Sequence, residues 1–488
     1  MTTILLATIV AYFALLCVIA FRSRGAADND AFFRAGRRAP WTMVALGMVG
    51  ASVSGVSLVS VPGWVGTTQM TYLQMCMGFV PGYFAVAFLL LPLYYRLRLT
   101  TIYGVLEKRF GPHTHRTGAL FFLLSKLTGA AARLYLAVVV LAQFLPQGHL
   151  TIALTSLLVL LLIYIYTRAG GLSSIVRTDV VQTICLLLAV GGIVWGTASH
   201  LGLSAQGTWD AIRHSPLSRV FEWDWASRQN FWRQFLSGFF IVVVMTGLDQ
   251  DMMQKNLSCR TLREAQKNMC CYGLAFLPVN ALLLGLGVLL YTLCAQEGIP
   301  RPAKTDELLP SLVAGGALGT WVVVPFAVGI VAAAFSSADS ALTSLTTSFC
   351  IDLLGVERRG LSPDTRERLR RRVHVGMCAA FFLCMMAIGA AGTGNMIDTI
   401  YRMASYTYGP LLGLFAFGML TRRGVRDRYV PAVCLAVPLL CALLDYAAPR
   451  LWGLSLGYEL LLLSGVLTAM GLCPLSARRG KHGGNEGR

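Results

Sequence analysis

Ser336, Asp339, Ser340 and Thr343 recur at i, i+3, i+4 and i+7 within the run Ala333–Ser344, a spacing that places them on one face of a helix. Six of the nine residues from Ser336 to Ser344 are polar, although the stretch around them is apolar. Hydroxyls beside one carboxylate supply the hard oxygen ligands that an alkali cation takes. A carboxylate stranded at bilayer depth is costly, so its presence there points to function more than to packing. A second candidate is the run from Gly50 to Gly63, dense in Gly, Ala and Ser and closed by Pro62-Gly63. Such a run makes a poor continuous helix. A helix broken in mid-membrane frees backbone carbonyls that a bound cation can satisfy. The same small residues also suit a close helix–helix seam, and the residues alone leave both readings open. Asp179, with Gln182 on its face, lies about one turn into another apolar stretch and is either a polar site or a partner for Arg177. Arg133, near the middle of its stretch, either answers an internal carboxylate or presents its fork to a carboxylate on a substrate.

The elements that must hold these residues are membrane spans. Crossing the hydrocarbon takes about 20 apolar residues as helix. Thirteen stretches qualify: 3–21, 41–63, 69–95, 118–146, 150–167, 175–199, 231–249, 269–293, 320–353, 373–391, 398–420, 429–447 and 455–474. Alternating strand-like blocks are lacking, which argues against a β-barrel. The first stretch has no basic residue ahead of it and no small-residue cleavage pattern behind it, so it reads as a retained helix. Of the 488 residues 56% are hydrophobic and only 13% charged, with a mean hydropathy of +0.63. A soluble domain carries about 25% charged residues, so most of this surface faces lipid, and the bilayer is the expected surrounding partner. The net charge of +18 would suit a nucleic-acid binder only on a soluble basic face; no nucleic-acid partner is expected.

That charge is instead a record of orientation, since Lys and Arg gather in cytoplasmic loops. Thirty-one of the 41 fall in alternate connections (22–38, 96–116, 168–177, 255–267, 358–372, 422–428 and 478–488), seven in the opposite set, and three (Lys126, Arg133, Arg402) within spans. Thirteen spans with the N-terminus outside and the C-terminus inside satisfy every connection. The cysteines and histidines form no metal-site spacing, and no phosphate-binding loop occurs. The chain is therefore not expected to be an enzyme or to hold an organic cofactor, and uphill work would draw on an ion gradient. Five spans in each of 41–199 and 231–420 place the two halves in opposite orientations, the inverted repeat of secondary transporters. The remaining segments are a leading helix and basic loop (1–40), an outer loop (200–230), two trailing helices (421–475) and a basic tail (476–488).

The sequence resembles the sodium/solute symporter family. The resemblance rests on Gly170-Gly171-Leu172 through Thr178-Asp179 and Gln182, on Gly247-Leu248-Asp249-Gln250 through Gln254-Lys255, on Ser336-Ser337-Ala338-Asp339-Ser340, and on Ala404-Ser405-Tyr406-Thr407-Tyr408-Gly409-Pro410. It implies an all-α, LeuT-like 5+5 inverted-repeat core and sodium (Na+) as coupling ion, importing a small-molecule solute by alternating access. Carried across, the principal sodium site takes hydroxyls of Ser336 and Ser337 and carbonyls of Ala51, Ser54 and Ala333. A second sodium site would use Asp179 with Ser336, Asp339 and Ser340. Arg133 matches the position that holds the substrate carboxylate in sialic acid carriers, with Ser54, Ser57, Ser60 and Gln74 lining the same pocket. Arg402 would belong to an outer gate or an ion pair. The resemblance places the chain in a bacterial inner membrane and leaves its oligomeric state open. The competing readings are a proton-coupled carrier of a neutral sugar or amino acid, a channel, and a membrane-embedded enzyme.

Overall fold

The structure, a computed structural model, describes residues 2–22, 39–97, 99–145, 148, 150–392, 395–452 and 456–477; the basic segments expected at 23–38 and 478–488 lie outside them. The chain is helical almost throughout. In order, the helices are α1 Thr2–Arg22, α2 Trp41–Ser52, α3 Gly55–Thr68, α4 Tyr72–Leu97, α5 Gly104–Arg109, α6 Pro112–Ala142, α7 Thr151–His200, α8 Ala205–Arg213, α9 Phe231–Gly247, α10 Gln250–Leu257, α11 Leu262–Glu297, α12 Leu308–Ala314, α13 Thr320–Leu353, α14 Pro363–Ala391, α15 Met396–Leu420, α16 Val430–Trp452 and α17 Leu460–Leu472. Among the described residues seven helices are long and apolar enough to cross a membrane, or nine when each of two bent pairs counts as one span. The other expected stretches also fall on helices, three of them short (within α1, α7 and α17) and one, α15, more polar. A two-stranded antiparallel ribbon, Gly424–Val425 with Ser476–Ala477, closes one end.

One boundary differs from expectation. Residues 168–177 were expected to be a loop, but α7 runs through them as helix. No proline interrupts that segment, and glycine lowers helix propensity without ending a helix.

Among the seven long apolar helices of the described residues α13 is the most interior: 78% of its apolar window is buried, against 22% for α14 and α16. Leu188, Leu435, Leu439, Leu443 and Met470 point outward, the arrangement a hydrocarbon solvent requires. Trp209, Trp223 and Trp225 of the segment 200–230 are exposed as well, suited to a membrane–water interface.

Glycine fixes how closely the helices approach. A Cβ at Gly50 would meet Thr183 Oγ1 at 2.0 Å, and one at Gly47 would meet Asp179 Cβ at 2.9 Å, so α2 lies directly on α7. A Cβ at Gly78 would meet the Phe235 carbonyl at 2.0 Å, and one at Gly238 the Met75 carbonyl at 2.2 Å, which locks α4 against α9 from both sides. Backbone cannot step aside as a side chain can. Gly238→Ala is therefore expected to cost about 1–3 kcal/mol through overpacking, read as a lowered melting temperature in detergent. An unshifted melt would mean that α4 and α9 are free to separate.

At one end of the bundle Arg358 grips Glu107 of α5 with both guanidinium nitrogens, Nη1 to Oε1 at 2.7 Å, and this bond holds the Glu107 carboxyl below the usual carboxylate range. Asp427 accepts from the His113 and Thr114 amides at 2.8 and 2.7 Å, satisfying the free donors and dipole at the α6 N-terminus.

Candidate functional site: a polar cavity between two broken helices

Two spans are broken at mid-length. α2 and α3 meet at 53° across Val53-Ser54, and α9 and α10 meet at 63° across Leu248-Asp249. The small-residue run thus does both things its composition allowed. Gly47 and Gly50 form the seam with α7, and the break follows immediately. Ser54 is extended (φ −77°, ψ 173°), and no bond joins Gly55 N to Ala51 O across it. The second break is fixed by Asp249, whose carboxylate accepts from Met252 N at 3.1 Å and caps α10.

At the first break the Ser337 hydroxyl of α13 donates to the freed Ala51 carbonyl at 3.3 Å, bringing together two of the residues expected to hold sodium. Gly55 approaches the preceding turns of α13, with its Cβ position 3.6 Å from Ile330 O and 3.9 Å from Ala334 N. Ala333 and Ser336 are buried on that stretch of α13. Ser54 O is already taken by Leu58 N at 3.2 Å, so it serves as the first acceptor of α3.

The set expected around a second sodium is divided between two carboxylates. Asp179 accepts from Ser336 Oγ at 2.7 Å and from Lys255 Nζ at 2.8 Å, whereas Ser340 donates to Asp251. Asp339 is buried in α13, between Ser336 and Ser340 in sequence. Lys255 is 1% exposed, so it is not a loop charge. The break before α10 turns this short helix back into the protein and carries the ammonium to Asp179. A further buried ammonium, Lys126 of α6, lies 2.6 Å from Asp251 and 3.3 Å from Asp249. The Tyr408 hydroxyl of α15 donates to Asp249 at 2.6 Å.

Between the breaks lies a cavity of about 80 Å³ lined by residues of α2, α4, α6, α9, α10, α11 and α15. Its polar wall comprises Arg133, Lys126, Asp249, Thr246 and the rings of Tyr83, Tyr272, Tyr401 and Tyr408. Tyr83 donates to Tyr272 at 2.8 Å, and Tyr272 is bonded to Ser52 at the first break. Arg133 is half-buried on this wall and has no hydrogen-bond or ion-pair partner among the described residues. Small-molecule sites usually offer about 300–1,000 Å³, so this is a contracted form that must widen to admit a solute.

Of the five residues expected in the pocket, only Arg133 lines it. Ser54, Ser57 and Ser60 are buried away from the cavity, because the helix they share begins beyond the break. Gln74 anchors the segment 200–230, donating to Gln229 O at 2.8 Å and accepting from Glu222 N at 3.1 Å. Arg402 pairs with Asp398 at 3.1 Å within α15. Lys126 and the tyrosines were not anticipated. Lys126 stands seven residues before Arg133, hence on the same helical face, and Tyr401, Ala404 and Tyr408 repeat at the same spacings on α15.

Two broken spans meeting over a buried, charged cavity are the arrangement that ion-coupled secondary transporters use. The chain belongs to the sodium:solute symporter family, whose profile matches residues 32–426. It is 26% identical to the human sodium/iodide cotransporter over 407 residues, 81% of this chain and 62% of that protein. It thus spans about three fifths of that relative. It is 25% identical to the sodium/sialic acid symporter NanT of Aliivibrio fischeri over 441 residues, covering 84% of this chain and 81% of the relative. A solved substrate-bound, outward-open structure of a Na+-coupled sialic acid symporter superposes with a TM-score of 0.83 at 19% identity, over 97% of this chain and 98% of that one. The fold is shared.

Proposed function

We propose that this protein is a sodium-coupled symporter that imports a small solute bearing a carboxylate, in the manner of an acidic sugar or a short organic acid. The observation that carries the reading is the Arg133 guanidinium, bonded to no carboxylate among the described residues, on the wall of a cavity whose edge is the broken α2–α3 span. Sodium, as cargo, would be held where the Ala51 carbonyl meets α13, by that carbonyl with Ala333, Ser336 and Ser337. Bridging α2 to α13 stabilises the arrangement in which the cavity faces outward, and release of sodium to the cytoplasm lets it reverse. One positive charge moving down 100 mV contributes about 2.3 kcal/mol, roughly forty-fold accumulation.

The two broken spans open the segments 41–199 and 231–420, which supports reading these as inverted repeats of five spans in a LeuT-like core. With the leading helix and the two trailing ones this makes thirteen spans, the N-terminus outside and the basic tail inside. The bacterial relatives favour a bacterial inner membrane.

Uptake of radiolabelled N-acetylneuraminate and of short monocarboxylates into proteoliposomes, with sodium replaced by choline at fixed pH, tests the reading. Uptake should collapse in choline; uptake sustained by a proton gradient alone would make this a proton carrier. Ser337→Ala should raise the sodium concentration for half-maximal uptake about tenfold, the loss of one hydroxyl ligand of about 1–1.5 kcal/mol. An unchanged sodium dependence would remove Ser337 from the site.

A further inference from the structure

Five buried charges lie between the cavity and α13, and the principal sodium site does not account for them. Asp249 faces the cavity, takes the Tyr408 hydroxyl and caps α10. Lys126 reaches from α6 to Asp249 and to Asp251. Asp251 takes the hydroxyl of Ser340, one turn along α13 from Ser336 and Ser337. On the other side of Ser336, Asp179 pairs with Lys255 of the same short helix α10. The chain of contacts therefore runs unbroken from a cavity wall to the helix that meets the broken α2–α3 span. Asp249 and Asp251 sit at the second break, where α9 and α10 meet at 63°.

Three carboxylates share two ammoniums, and Lys126 alone touches two of the carboxylates. Its ammonium cannot follow Asp249 toward a cavity ligand without loosening its hold on Asp251. Asp251 in turn fixes Ser340 and the turn of α13 that carries Ser336 and Ser337.

We propose that Lys126 is the residue that couples sodium to solute: a positioning residue whose ammonium, shared between Asp249 and Asp251, makes the tilt of α10 common to the cavity and to the sodium-facing turn of α13. This rests on the sodium-coupled reading and specifies the route of coupling. Coupling is reciprocal: sodium and solute must raise each other's affinity by the same factor.

The test uses purified full-length protein in detergent and measures the dissociation constant for N-acetylneuraminate in sodium and in potassium at equal ionic strength, by thermal shift. In the unaltered protein sodium should tighten binding about tenfold or more. In Lys126→Met each ligand alone should still stabilise the protein, while the sodium-to-potassium ratio of the dissociation constants falls to about one. Asp251→Asn should lower the ratio likewise, and Lys126→Arg, which keeps a charge that reaches both carboxylates, should retain most of it. Tyr401→Phe changes a cavity wall residue bonded to Tyr72 and outside this chain of contacts; it should weaken binding with the ratio intact. A ratio preserved in both Lys126→Met and Asp251→Asn overturns the proposal. If the unaltered protein responds to sodium but not to this acid, or to the acid but not to sodium, the sodium-coupled acid carrier itself has failed, independently of Lys126.

Discussion

Replacing Lys255 with Met is expected to destabilise the protein by about 3–5 kcal/mol, the cost of leaving one partner of a buried ion pair uncompensated. Lys255 and Asp179 have side chains 2% and 1% exposed and meet at 2.8 Å. Without the ammonium, the Asp179 carboxylate is left with the Ser336 hydroxyl as its direct donor, and water cannot reach it. The same ammonium lies within electrostatic reach of Asp251, so its loss also removes the cation between that carboxylate and Asp179. Thermal melts in detergent read the effect as a large drop in melting temperature. The double variant Lys255→Met/Asp179→Asn removes the charge from both sides, and neutral pairs of similar volume often match or exceed a buried ion pair in stability. It should recover at least half of the loss. Losses that simply add would mean that the two residues act independently, contrary to their contact.

Lys255 also marks the limit of what the chain's pattern discloses. Hydropathy and loop charge locate the spans, because bilayer thickness sets helix length and cytoplasmic loops accumulate Lys and Arg. Each expected span falls on a helix, two of them (150–167 and 175–199) on the single helix α7. The same arithmetic places Lys255 in a loop, because charge counting sees an apolar stretch end near Gly247 and assigns the next residues to water. The break at Leu248-Asp249 folds α10 back against α13 and α7, and one-dimensional hydropathy has no means of seeing a reversal of direction. The break at Val53-Ser54 was legible in composition, since Gly and Ser cluster there. The register beyond it was not: Ser57 and Ser60 share the run with Ala51 but sit on a separate helix with its own rotation, so they miss the cavity. Arg133 was legible because a lone guanidinium in an apolar stretch is conspicuous. Lys126 was visible on the same face but lacked a motif around it, and the tyrosine wall is ordinary in composition and becomes a site only when separate helices bring it together.

Arg133→Gln should lower uptake of an acidic solute by about a hundredfold or more, and Arg133→Lys should restore part of it. Arg133 and Lys126 share one face of α6, but their situations differ. Lys126 is held by Asp249 and Asp251, whereas Arg133 faces the cavity with Tyr401 and Tyr408 as its electrostatic neighbours and no carboxylate bonded to it among the described residues. A half-buried guanidinium has given up part of its hydration without protein compensation, so an incoming carboxylate recovers that interaction and binds in the forked geometry that suits it. Truncating one partner of such a desolvated pair costs about 2–5 kcal/mol, which is a factor of roughly 30 to several thousand in affinity. Lysine keeps the charge but presents a point instead of a fork, hence partial rescue. The phenolic oxygens of the wall can still accept from a sugar's own hydroxyls, so the uncharged amide of glutamine should leave a neutral analogue nearly unaffected. Competition by the solute's methyl ester separates the alternatives: in the unaltered protein the ester should compete poorly, and in Arg133→Gln acid and ester should compete about equally. An acid that still outcompetes its ester by the original margin in Arg133→Gln would move the carboxylate to some other wall of the cavity.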